Sequence, residues 1–213
     1  MKSRKERFVA VLFGAGESWL EWPWRFRLLG LVPLTIFLLH FHYNWSQGNP
    51  GHVLWMCHVS NLALAIGLLL GHRGLIRLAP IWLLPGIPLW IMDMLSTRQM
   101  PPITFLSHLV CPVVGLIALR EVRAGRWTWL RAFLWFLFIQ QISRMFTPPE
   151  LNVNVAHSIY PGWERFFTAY WQYWLFTAAS SALALYVVGR LLLWFAPPHK
   201  PEPLATAAAP PGD

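Results

Sequence analysis

The chain has 213 residues, 56% of them hydrophobic and 15% aromatic against 12% charged, with mean hydropathy +0.44. That balance excludes a disordered chain and argues against a water-soluble globule. The net charge of +8 would suggest a nucleic-acid partner in a soluble protein, but in so apolar a chain it serves to orient membrane spans, and no nucleic-acid partner is expected.

In chain order, the N-terminus carries Lys2, Arg4, Lys5 and Arg7 and a short apolar run, followed by Glu17, Glu21 and the tryptophans Trp19, Trp22 and Trp24. Residues 1–25 read as a cytoplasmic, interfacial segment rather than a cleaved signal, because the apolar run is short and acidic residues follow it. Six apolar windows come next, at about 26–43, 52–70, 75–95, 103–119, 127–146 and 168–195. Each is close to the roughly 20 residues that cross a bilayer, and all are continuous rather than alternating, which favours helices over barrel strands. The expected fold is all-α, a polytopic protein of six transmembrane helices over residues 26–196. The Pro/Ala-rich stretch 197–213 is expected to be disordered. Pro80, Pro85, Gly86 and Pro88 predict a kink or a break in the third helix.

Lys and Arg fall in the successive connections as 6, 0, 2, 1, 4, 2 and 2, and this alternation places both termini in the cytoplasm. Tryptophans at both sets of helix ends agree with that orientation. Membrane lipids are the expected partners. The Arg-rich, Lys-poor composition and the Ala/Pro tail point to the inner membrane of a bacterium.

Placed by depth, the ionisable residues gather at the outer side: His40 and His42 at the end of span 1, His52, Cys57 and His58 at the start of span 2, Asp93 at the end of span 3, and His108 early in span 4. Arg144 closes span 5, and Glu150, Asn152, Asn154 and His157 lie in the connection after it. Ionisable groups inside a membrane mark functional sites by default. Cys57 and His108 sit about four or five residues inside their spans, roughly 6–8 Å deep at 1.5 Å per residue. They can meet if spans 2 and 4 are neighbours, and a cysteine beside a histidine is the minimum for an activated thiolate. Cys111 shares the face of His108 one turn deeper and reads as packing. His58, Asn61, Asp93, Arg144, Asn154 and His157 are candidates for substrate binding or site support. Asp93 with Arg144 reads equally well as a structural ion pair, and Asn61 as an interhelical hydrogen bond. Asn44-Trp45-Ser46 matches a glycosylation acceptor in an outer loop.

Leu54-Trp55-Met56-Cys57, Phe105-Leu106-Ser107-His108 and Asn152-Val153-Asn154, in a six-helix layout, resemble the family of integral membrane proteins that contains bacterial YwaF-like proteins and eukaryotic transmembrane protein 164. A more distant likeness is to the androgen-induced membrane hydrolases. The resemblance covers roughly residues 26–195 and implies an acyl-transfer enzyme with Cys57 as nucleophile, His108 as general base and Asn154 as a polar support. His58 departs from the pattern, since an acidic or amide residue usually follows that cysteine.

The first expectation is therefore acyl transfer or hydrolysis on a lipid, with Asn61, Asn154 or Arg144 available to stabilise an oxyanion. No cofactor is expected and no metal ligand is assigned, since no tight spacing such as HExxH occurs. Two alternatives stay open. One is a transporter or assembly factor with a polar outer pocket, in which Gln140 and Gln141 come closest to a mid-membrane polar path. The other is a metal or haem centre formed by His42, His52, His58, His108 and His157.

Overall fold

The computed structural model of the protein describes residues 23–98, 102–122 and 124–195. Most of the interfacial N-terminal reading and all of the disordered-tail reading lie outside the described residues. Among the described residues the chain is all-helical, with six main helices: α1 Trp24–Ser46, α2 Met56–Leu70, α3 Arg73–Thr97, α4 Pro102–Val122, α5 Thr128–Phe146 and α6 Tyr170–Phe195. They coincide with the six apolar windows to within a few residues.

Local chemistry sets the helix boundaries. A turn at Leu29 and Gly30 divides α1 into Trp24–Leu28 and Leu31–Ser46. Gly71 ends α2 in the left-handed region at φ 74°, which costs glycine nothing. The next residue, His72, caps α3 by accepting the Leu75 N–H on its Nδ1 at 3.2 Å. The three prolines do not break α3, which runs as one 25-residue helix through Pro80, Pro85 and Pro88. α4 instead carries an irregularity, a π turn at Leu106–Val110.

α3 is the central wall. It packs against α2, α4, α5 and α6, while α1 lies on α2 and α4. One apolar core joins Ile36, Leu64, Leu68, Leu83, Cys111 and Val114 across α1 to α4. A second joins Ile81 and Trp82 of α3 to Ala132 of α5 and Leu185 of α6. Polar side chains tie the helices together where they would otherwise face lipid: Trp82 Nε1 donates to Ala132 O at 2.9 Å, and Arg77 donates to Val122 O at the end of α4 through Nε at 3.2 Å and Nη2 at 3.1 Å. α3 and α4 meet closely because Gly115 faces Pro80; a Cβ there would stand 2.8 Å from the proline Cγ.

Four of these helices are long and apolar enough to cross a membrane: Trp24–Ser46, Arg73–Ser96, Pro102–Val122 and Tyr170–Trp194. α2 is apolar but has 15 residues, and α5 carries Arg131, Arg144 and two glutamines. Large apolar side chains face outward around the bundle, among them Leu38, Leu89, Leu116, Phe138 and Leu183. By length and composition the chain is an integral membrane protein.

Candidate functional site

The buried polar side chains concentrate at the end of the bundle where α1 finishes and α2 begins. His40 from α1, His58, Ser60 and Asn61 from α2, and Ser107 and His108 from the π turn of α4 are all buried. Spans 2 and 4 are in contact, as the juxtaposition of Cys57 with His108 requires. Ser107 and His108, adjacent in sequence, both lie within that π turn and are both buried.

The histidines have defined partners. The His40 and His58 rings lie 4.2 Å apart, tilted by 43°. His40 Nε2 is 2.6 Å from Ser107 Oγ and 3.2 Å from Ile103 O. With Nε2 protonated His40 donates to both oxygens; with Nε2 bare, Ser107 donates to it. His108 places Nδ1 2.9 Å from Thr104 O. A carbonyl oxygen only accepts, so Nδ1 carries the proton and Nε2 keeps its lone pair. The same ring stacks on Trp90 of α3, with centroids 4.9 Å apart and planes 7° from parallel.

Three polar atoms in a single turn of α2 are buried without a hydrogen-bond partner: His58 Nδ1 and both amide atoms of Asn61. Each costs about 1–3 kcal/mol when left unsatisfied. Asn61 lies four residues after Cys57, one turn along the same helix face. Cys57 is half-buried and Cys111 fully buried, and both are free thiols.

The start of α2 is held from the far side of the sequence. Asn154 Oδ1 accepts the Met56 N–H at 2.9 Å, and its Nδ2 donates to Leu54 O at 2.8 Å and to Ser143 Oγ at 3.0 Å. Asn154 thus caps the helix that carries Cys57 and fixes its first turn. Gln140 Nε2 donates to the Asn154 backbone carbonyl at 3.0 Å, and Gln140 Oε1 accepts from Trp174 Nε1 at 2.9 Å. This ties Gln140 to the loop that follows α5 and to α6. The loop follows an unusual course, with Asn152, Asn154 and Val155 at φ 39°, 54° and 50°. Asparagine tolerates this region, but a β-branched valine there is strained; Tyr170 OH donates to Val155 O at 3.0 Å and to Ala156 O at 2.6 Å, fastening the segment.

The remaining candidates lie at the rim. Asp93 and Arg144 are both exposed. Asp93 Oδ1 accepts from Tyr160 OH at 2.8 Å, and the Arg144 guanidinium lies 5.5 Å from the Tyr170 ring centroid. Both contacts are aromatic, to Tyr160 in the connection after α5 and to Tyr170 at the start of α6. His157 is half-buried, with Nε2 3.3 Å from Thr147 Oγ1. Burial lowers the pKa of His52, in the 3-10 turn before α2, below the usual imidazole range. Burial, and then the bond to Asp93, pushes Tyr160 up to about 12.

The structure thus brings His108, His58 and Asn61 into one cluster, gives Asn154 a capping role beside it, and leaves Asp93, Arg144 and His157 outside. No hydrogen bond joins Cys57 to His108; within the cluster the histidine hydrogen-bonded to a hydroxyl is His40, through Ser107. That pair was not singled out in the sequence, although His40 was placed at the outer end of its span and Ser107 adjoins His108. The histidines do not form a metal-holding group with other His, Cys, Asp or Glu among the described residues. Comparison with known proteins matches the chain to no family model, no curated protein and no solved structure.

Proposed function

We propose that this protein is an integral membrane enzyme of lipid acyl transfer or hydrolysis, with Cys57 as nucleophile and His108 as general base. The observation that carries the reading is the buried cluster on α1, α2 and α4, in which His108 has its proton fixed on Nδ1 by Thr104 O and a free lone pair on Nε2. In the proposed reaction that lone pair takes the Cys57 thiol proton, and the thiolate sulfur adds to the ester carbonyl of a lipid. The tetrahedral intermediate collapses by breaking the C–O bond to the leaving alcohol, which receives the proton back from His108. A second alcohol, or water, then attacks the thioester, with His108 as base, and the thiol is restored.

An oxyanion donor is required. Of the three candidates in the sequence, Asn154 already uses its amide to cap α2 and Arg144 lies at the exposed rim. Asn61, with an unpartnered Nδ2 one turn below Cys57, is the donor in this proposal. The likeness of Leu54–Cys57, Phe105–His108 and Asn152–Asn154 to the YwaF-like and transmembrane protein 164 family supports the same assignment.

In this reading all six helices span the membrane, both termini are cytoplasmic, and the cluster lies in the outer half of a bacterial inner membrane. α2 is shorter than a full span, but the Pro50–Leu54 turn extends it toward the surface, and its burial among neighbours spares it the full hydrophobic match.

The test is the intact mass of protein purified from membranes, wild type beside Cys57→Ala, before and after neutral hydroxylamine. A fatty-acyl increment in the wild type alone, lost on treatment, is the expected result. Wild-type lipid turnover retained in Cys57→Ala overturns the assignment.

A further inference from the structure

The connection from α5 to α6 folds back along α6. The Trp163 ring centroid lies 6.3 Å from that of Tyr173 and 5.5 Å from that of Phe176, and the Phe167 centroid lies 5.3 Å and 5.2 Å from the same two rings. Tyr173 and Phe176 belong to the first two turns of α6. Residues 163–167 are therefore drawn down beside the start of a helix long and apolar enough to cross a membrane.

Large apolar side chains at this end of the bundle face outward. Met145 and Phe146, at the end of α5, are 73% and 70% exposed, and Phe166 and Trp171 are each 62% exposed. Two exposed arginines stand among them, Arg144 and Arg165. The Arg144 guanidinium carbon lies 5.5 Å from the Tyr170 ring centroid, and that of Arg165 lies 4.6 Å from the centroid of Phe166. A guanidinium held over a ring has less conformational freedom left to lose on binding, and its N–H donors lie in its own plane, directed past the ring edge. The carboxylate next to Arg165, Glu164, turns back to accept the Gly162 N–H at 2.7 Å.

Exposed apolar side chains interleaved with planar cations at the end of a span fit one partner, the headgroup layer of a phospholipid leaflet. Aromatic rings settle at the glycerol level there, long cationic side chains reach outward from it, and a guanidinium fork matches a phosphate. Water would leave four large apolar side chains hydrated, and hydrocarbon alone would strand two charges.

We propose that the collar formed by the end of α5, residues 163–167 and the first turn of α6 binds the phospholipid headgroups of the leaflet it meets, with Arg144 and Arg165 donating to lipid phosphates. This gives Arg144 a role outside the buried cluster and does not depend on the acyl-transfer reading.

The experiment uses the full chain with Cys57 and Cys111 replaced by alanine and one new cysteine, spin-labelled and reconstituted in phosphatidylcholine vesicles. The cysteine is placed at Phe146, at Trp171 or at Ser158, the last an exposed polar position in the same connection that serves as the water-side reference. Collision with dissolved oxygen relative to a water-soluble nickel complex reads the depth of each label. Labels at 146 and 171 are expected to show a ratio several-fold above that at 158. Adding Arg144→Gln and Arg165→Gln, both at exposed positions, is expected to lower the ratio at 146 and 171 several-fold toward the value at 158. Ratios at 146 and 171 equal to that at 158 overturn the proposal, because the collar then stands in water. Ratios unmoved by the two glutamines overturn it as well, because the aromatic side chains then hold the collar without a phosphate contact.

Discussion

Asn61 is the residue at which stability and function pull apart. Its amide is fully buried with both polar atoms unpartnered, a cost that replacement by a similarly sized apolar side chain removes. Asn61→Leu is therefore expected to raise the thermal unfolding temperature in detergent while lowering turnover by roughly 10²–10³-fold, the usual loss on removing an oxyanion donor. Unchanged turnover would return Asn61 to a structural role. At the rim, Tyr160 donates to Asp93, and its pKa is raised from 10.0 to about 12 by burial and by that bond. Because the folded value exceeds the unfolded one, this contribution to stability is complete below pH 10.0 and is lost as pH rises through about 12. Tyrosinate absorbance should show a late-titrating phase that Tyr160→Phe reduces by one group; an unreduced phase would remove Tyr160 from it.

At the level of elements, the first turn of α2 depends on a side chain 98 residues away in sequence, Asn154 bonding to Met56. Asn154→Ala removes the acceptor for the Met56 N–H and the donor to Leu54 O, and is expected to cost about 1–2 kcal/mol, as loss of a helix cap does. The same variant frees the turn that holds Cys57, so its maleimide labelling should accelerate; an unaltered rate would show that Asn154 stabilises the loop without positioning the cysteine. In α4, Gly115 permits contact with Pro80. Gly115→Leu overpacks that contact, with an expected cost of about 1–3 kcal/mol, measurable as a lower unfolding temperature.

On the scale of the whole molecule, α3 separates two apolar cores, and the polar cluster is built from α1, α2 and α4 on one side of it. The proposed orientation predicts that a single cysteine at Ser158, with Cys57 and Cys111 replaced by alanine, reacts with a membrane-impermeant maleimide in intact cells. One at Arg126 should react only after permeabilisation. The opposite pattern would invert the topology and place the cluster in the inner leaflet.

Sequence by itself determined the helical class, the six helical segments and the positions of Cys57, His40, His58 and His108 near the ends of their helices, because apolar run length and helical rise are local properties that need no knowledge of neighbours. It also determined that α2 and α4 begin at the same end of the bundle. Tertiary structure alone decided which polar groups meet. Asp93 accepts from Tyr160 and Arg144 lies beside the ring of Tyr170, contacts set by how the chain after α5 crosses the bundle end and enters α6. The Ser107–His40 bond depends on a π turn that no apolar periodicity announces, and the cap of α2 by Asn154 depends on left-handed backbone in a loop distant in sequence. Depth follows from counting along one helix, whereas contact depends on how helices rotate and pack against one another.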